Sequence, residues 1–324
     1  MRTAFLQTLF ELARQDDRIV LITGDLGFTV VEPFMNELPR QFVNAGVAEQ
    51  NMIGMAAGMA LSGKIVFAYS IANFPTMRCL EQIRNDVCYH HVNVKIVAIG
   101  GGFAYGAMGV THHATEDIGI MRMLPALTVM APGDPIEARH ATRAVVEHAG
   151  PCYLRLGKAG EPNVHKGNIG FKIGKALLLR DGRDLTLIST GNLLQTADKV
   201  AEQLASCGIS TRLLSMHTLK PLDNDAVLSA VRETQAIATL EEHSVIGGLG
   251  SAIAEVLAEA DGVRIPFRRI GLPSSFSPHI GSQEYMQEKH GLNVASLVQA
   301  LKELLKRTSH SAAKSTLQAH QERQ

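Results

Sequence analysis

One carboxylate stands where a catalytic acid could. Glu49, in Asn44-Ala45-Gly46-Val47-Ala48-Glu49-Gln50-Asn51, opens a segment from Met52 to Ala60 with almost no large polar side chain, small at Gly54, Ala56, Ala57 and Gly58. A carboxylate so placed is either a helix N-terminal charge favoured by the dipole or a buried acid. A solvated cap needs no such neighbours, which favours the buried acid. Phe74, in Tyr69-Ser70-Ile71-Ala72-Asn73-Phe74-Pro75, follows a strand. It is either core or, at a strand end of an open α/β sheet, a ring that stacks on a heterocycle. Gly106-Ala107-Met108-Gly109-Val110-Thr111-His112-His113 sets two histidines after a glycine-rich loop. Chain neighbours point apart and no third ligand is spaced to join them, so one proton-handling His is a better reading than a metal pair. Asp25 closes a strand in Thr23-Gly24-Asp25-Leu26-Gly27, where an Asx turn is the plain alternative.

These residues need strands and helices to hold them. Apolar periodicity predicts helices over 4–14, 48–61, 78–89 and 135–148, and short β-branched runs predict strands over 18–22, 64–69, 94–99, 127–131 and 152–156. Residues 158–170 are rich in Gly, Pro and Asn without periodicity and read as a linker. A second block follows, with strands over 184–189, 209–215, 236–241 and 264–270, helices near 194–206, 223–232 and 249–260, and a last helix over 294–307. Apolar runs without alternation, separated by helices, are the pattern of parallel sheets covered on both faces. The fold class is therefore α/β, as two tandem domains (1–157 and 171–307) with open, largely parallel sheets. The tail, 308–324, has almost no large apolar residue, and its composition predicts disorder.

Composition narrows the function. The 324 residues hold 31 Lys+Arg and 31 Asp+Glu, so no basic excess is available for nucleic-acid phosphates. Only 19% are charged and 46% are hydrophobic, which suits a large core and a surface partly covered by another chain. Cys79, Cys88, Cys152 and Cys207 have no zinc or dithiol spacing and read as buried, reduced thiols. Glu11, Arg14 and Asp16 interrupt the N-terminal segment too early for a signal peptide, and no apolar run is long enough to span a membrane; the expectation is a soluble, cytoplasmic protein. No dinucleotide or Walker fingerprint is present, and no Gly-Asp-Gly segment is followed by Asn-Asn.

Taken together these stretches resemble the thiamine-diphosphate-dependent transketolase superfamily, specifically its C-terminal half. Val-Ala-Glu-Gln-Asn-x-Ile-Gly-x-Ala-Ala-Gly-x-Ala at 47–60 and Gly-x-Thr-His at 109–112 are similar to its motifs. Ile270-Gly271-Leu272-Pro273, Gly281-Ser282-Gln283-Glu284, Leu219-Lys220-Pro221-Leu222-Asp223 and Glu241-Glu242-His243 resemble the C-terminal domain of 1-deoxyxylulose-5-phosphate synthases. The resemblance implies the small subunit of a split transketolase, in an α2β2 assembly whose large subunit holds the diphosphate and Mg²⁺ of thiamine diphosphate, with no metal in this chain. It implies that Glu49 hydrogen-bonds N1′ of the aminopyrimidine, Phe74 stacks on that ring, Asp25 lies near the cofactor and His112 faces the reacting carbons of the substrate.

The departures bear on the substrate. Met108 stands where the family carries an Asp before Gly-x-Thr-His, and Gly100-Gly101-Gly102 where a phosphate-contacting His is expected. Lys158 replaces an Arg, keeping charge without a bidentate fork. Arg2, Thr29 and Arg78 fall near other family contacts, and Ile71 replaces a common second aromatic. The second domain shows no catalytic constellation and is assigned to packing and assembly. Two alternatives remain: the β subunit of a 2-oxo acid dehydrogenase, which has the same two domains, and a non-catalytic scaffold. Thr111-His112 and the Arg78-x-x-Glu81-Gln82 spacing favour a transketolase.

Overall fold

Runs of buried β-branched and aliphatic residues become central strands, and the computed structural model describes residues 1–306. The predicted tail and the end of the last helix lie outside them; that helix is described over 294–306. The strands are β1 (Ile19–Thr23), β2 (Phe42–Asn44), β3 (Ile65–Ile71), β4 (Val94–Ile99), β5 (Thr128–Met130), β6 (Cys152–Leu156), β7 (Leu177–Arg180), β8 (Leu185–Ser189), β9 (Thr211–Ser215), β10 (Thr218–Lys220), β11 (Ile237–Ser244) and β12 (Phe267–Leu272). They form a seven-stranded sheet, β10-β5-β6-β4-β3-β1-β2, and a five-stranded sheet, β12-β11-β8-β9-β7. All pairings are parallel except β10 with β5 and β7 with β9. Every residue of β4, β6 and β11 is buried, as burial on both faces of a sheet requires.

β10 crosses between the halves: it follows the linker in the chain yet closes the edge of the first sheet, pairing Thr218 with Met130 and Lys220 with Val129. Lys220 Nζ reinforces the seam by donating to the carbonyls of Arg122 (3.0 Å) and Leu124 (2.5 Å). Deeper in, Arg155 on β6 donates to Asp117 Oδ2 (2.8 Å), to the Ala114 carbonyl (2.9 Å) and to the Glu242 carbonyl on β11 (3.0 Å).

Two expectations need correcting. The helix expected over 78–89 is a short α turn, Leu80–Gln82, running into a π-helical stretch, Ile83–Tyr89. Of the four thiols, Cys207 is exposed, because it is the cap residue that ends the helix Leu194–Ser206.

The helix Glu49–Leu61 carries the carboxylate. It ends at Ser62-Gly63, where Gly63 takes φ +91°. Its inner face buries Met52, Ile53, Ala56 and Ala57, while Gly54 and Gly58 face open space.

Candidate active site

The glutamate, phenylalanine and histidine that the sequence singles out come together at the strand ends of the first sheet. Glu49 is only 5% exposed at the first turn of its helix. Its Oε1 accepts from an Arg78 guanidinium N–H at 3.1 Å, and that guanidinium lies 4.5 Å from the centre of the Phe74 ring. Phe74 meets the His112 ring edge-on at 5.2 Å. A concavity of about 430 Å³, lined by Val47 to Asn51 and Arg78, opens over the carboxylate.

His112 sits in a short 3-10 turn, Val110–His112, entered through Gly109 at φ +78°. Asn73, which opens the short helix Asn73–Met77 that carries Phe74, donates to the carbonyls of Thr111 (3.1 Å) and His113 (2.7 Å), and so ties the histidine loop to that helix. Thr111 Oγ1 is 3.0 Å from His112 Nδ1. Burial, then the charges of His113 and Arg78, lower the His112 pKa, which favours the neutral imidazole.

The remaining candidates are arranged around this group. Asp25, exposed at φ +54°, makes a reciprocal amide pair with Asn44 at 3.0 Å rather than an Asx turn. The adjoining Gly24 borders Glu49, since a Cβ there would lie 3.9 Å from Glu49 Cγ. Lys158 Nζ lies 4.7 Å from the centre of the Tyr105 ring, which is itself 6.2 Å from His112. The charge of Arg2 acts on Tyr69 and Tyr105. Met108 is 58% exposed beside Gly109. Thr29, at φ +73°, donates its N–H to Glu32 Oε1 (2.6 Å), a contact within its own loop.

The Gly100-Gly101-Gly102 run has a steric reason that the sequence did not reveal. A Cβ at Gly100 would lie 2.2 Å from Tyr105, one at Gly101 2.4 Å from Arg155, and one at Gly102 2.7 Å from Glu242. Three large side chains therefore fill the space that three missing ones leave. Glu242 comes from the second half of the chain. Its carboxylate accepts from the N–H of Phe103 (2.7 Å) and from the side chains of Asn192, Gln283 and Gln287. The second domain thus holds the root of the loop that carries His112, a task its sequence did not show. A separate cleft of about 510 Å³ lies behind this loop, between Asn73, Met77 and His113 on one side and Ser274, Phe276 and His290 on the other.

A buried carboxylate linked through Arg78 to an aromatic ring that meets a histidine, on the first of two α/β domains, defines the class. Residues 1–161 match the transketolase pyrimidine-binding domain, and residues 174–297 the transketolase C-terminal domain. The chain belongs to the transketolase family, and its two domains are those of the small subunit of a split enzyme. It is 40% identical over 308 residues to one subunit of the apulose-4-phosphate transketolase of Phocaeicola vulgatus, covering 94% of this chain and 97% of that one. It is also 40% identical to the 6-deoxy-6-sulfo-D-fructose transketolase subunit SqwH of Clostridium sp. strain MSTE9, covering 95% of each. Among solved structures it is similar to a split-gene transketolase described as an inactive β4 tetramer. That likeness has a TM-score of 0.85 and 38% identity, over 94% of this chain and 97% of that one. It is 36% identical to a 1-deoxy-D-xylulose-5-phosphate synthase of Heliobacterium modesticaldum, over 93% of this chain and 46% of the synthase.

Proposed function

We propose that this chain receives the aminopyrimidine of thiamine diphosphate and, with a large subunit in an α2β2 assembly, moves a two-carbon ketol unit from a ketose to an aldehyde. One observation carries this reading. The Arg78 guanidinium, a planar N–H donor, lies on both Glu49 Oε1 and the Phe74 ring, the two contacts that an aminopyrimidine needs. The residues present therefore fit that ring once Arg78, whose side chain is 54% exposed, swings out. Glu49 would then hold the proton at N1′, Phe74 would fix the plane of the ring, and Asp25 would lie nearby. When bound, thiamine diphosphate supplies the carbon that attacks the ketose carbonyl and holds the electron pair released as the adjacent C–C bond breaks. His112, engaged through Nδ1 by Thr111, keeps Nε2 for the oxygen at the reacting carbon.

The diphosphate and Mg²⁺ are assigned to the large subunit; among the described residues no group of three His, Cys, Asp or Glu side chains is arranged to hold a metal. The donor is read as a ketose with an anionic far end, in a pocket that includes Arg2, Thr29, Arg78, Met108 and Lys158. Lys158 and Arg2 make no ion pair among the described residues, so both charges remain for a ligand. The two 40%-identical relatives carry a phosphate and a sulfonate in the names of their sugars. A cytoplasmic setting belongs to this reading; no helix among the described residues is long and apolar enough to cross a membrane.

The test is calorimetric titration of thiamine diphosphate with Mg²⁺ into this chain, into the large subunit and into their mixture. Binding in the mixture alone is expected, followed by ketol transfer; tight binding to this chain alone would contradict the shared site. Turnover of a 2-oxo acid with an artificial electron acceptor, and none of ketoses, would favour the dehydrogenase alternative instead.

A further inference from the structure

Tyr105 has no part in the chemistry above, yet it fills a space that the backbone leaves for it. Gly100, at φ +83°, ends the central strand β4, and the Tyr105 ring lies where a Gly100 side chain would be. Successive contacts run from Glu49 through Arg78, Phe74 and His112 to Tyr105 and Lys158. The Tyr105 ring therefore has His112 and Lys158 as its neighbours. Its hydroxyl makes no hydrogen bond to any described residue, and Lys158 and Arg2 beside it have no anionic partner among them. Burial pushes the phenol pKa up, so the hydroxyl stays a donor at neutral pH.

We propose that Tyr105 is a specificity-determining residue for the donor ketose. Its ring over Gly100 sets the length of the pocket, and its hydroxyl donates a hydrogen bond to an anionic terminal group held beside Lys158 and Arg2. This rests on the ketol-transfer reading. One tyrosine thereby supplies both a wall and a donor where Gly100 supplies neither.

The assembled enzyme is assayed with three ketoses of equal length that end in phosphate, sulfonate or hydroxyl. Tyr105→Phe keeps the ring and removes the donor. It is expected to lower kcat/KM about tenfold for whichever anionic ketose the wild type prefers, and to leave the hydroxyl-ended ketose within about twofold. Tyr105→Ala removes the wall and is expected to erase the preference against a ketose one carbon longer. An equal fall for all three donors in the Phe variant, no fall at all, or an unchanged length ranking in the Ala variant would each overturn the proposal. Inorganic phosphate separates this inference from the reading beneath it. If the wild-type assembly transfers from none of the ketoses, ketol transfer fails. Tyr105 then stands only if phosphate binds by calorimetry and binds about tenfold more weakly to the Phe variant.

Discussion

Arg78 presents a conflict that one side chain cannot avoid. It neutralises Glu49 and covers Phe74, so it occupies both groups that a stacked, hydrogen-bonded ring must use. Its half-exposed position makes the ion pair weak, about 1 kcal/mol or less, with a similar cation–π contribution. Removing it should therefore help the cofactor: Arg78→Ala is expected to tighten thiamine diphosphate binding to the assembled enzyme several-fold in calorimetry, by about 1 kcal/mol. Weaker binding would mean that Arg78 holds the ligand rather than standing in its place. The same change removes one of the charges that lower the His112 pKa, so the acid limb of the pH–rate profile should move to higher pH. Glu49→Gln keeps the shape but loses the carboxylate; turnover should fall by orders of magnitude while assembly stays intact in sedimentation. Wild-type-like activity in that variant would move the scaffold reading to the front.

At the scale of elements, the linker is more firmly anchored than its composition suggests. His165 Nε2 lies 2.6 Å from Glu137 Oε1, on the helix Pro135–Glu147, and the N–H groups of Val164 and His165 donate to Asp134 Oδ2 at 2.8 and 2.9 Å. Burial alone would raise the Glu137 pKa, but the His165 hydrogen bond and the His217 charge bring it below the ordinary 4.5. Burial alone would lower His165, yet the hydrogen bond and charge of Glu137 raise it above 6.5. The Glu137 contribution is therefore present above pH 4.5 and lost as pH falls through its lowered value. The His165 contribution is present below pH 6.5 and lost as pH rises through its raised value. His165→Gln should cost about 3 kcal/mol at pH 6 in urea unfolding, because it removes the charged partner of a buried carboxylate that keeps the Gly133 N–H as a donor. It should also flatten the decline of stability on the alkaline side; an unchanged decline would assign that decline to other groups.

Legibility in the sequence follows the same physics. Val94–Ile99, Cys152–Leu156 and Leu194–Ser206 were readable to the residue, because each has enough length or burial to show its own period. The strands Phe42–Asn44, Leu177–Arg180 and Thr218–Lys220 were missed, being three or four residues long and defined by a distant partner. Glu49, Phe74 and His112 stood out by residue type and motif. Tyr105 did not, and Glu242 was marked only as part of the Glu241-Glu242-His243 motif, since their roles depend on what packs against Gly100 and Gly102.

At the scale of the molecule, β10 makes the two halves interdependent. A fragment ending at the linker would leave the edge of β5 unpaired and Arg155 without its Glu242 carbonyl acceptor. The loop bearing His112 would also lose its seat on Glu242. An unpaired strand edge invites association with another chain, and a buried guanidinium missing one acceptor costs more than the hydrogen bond itself returned. Residues 1–170 alone are therefore expected to melt well below the full chain in calorimetry and to associate in sedimentation. The full chain, joined through the shared sheet edge and through Arg155, Lys220 and Glu242, should unfold in a single transition. Two resolved transitions, with the lower one matching residues 171–306, would mean that the seam couples the halves too weakly for the second domain to hold the histidine loop.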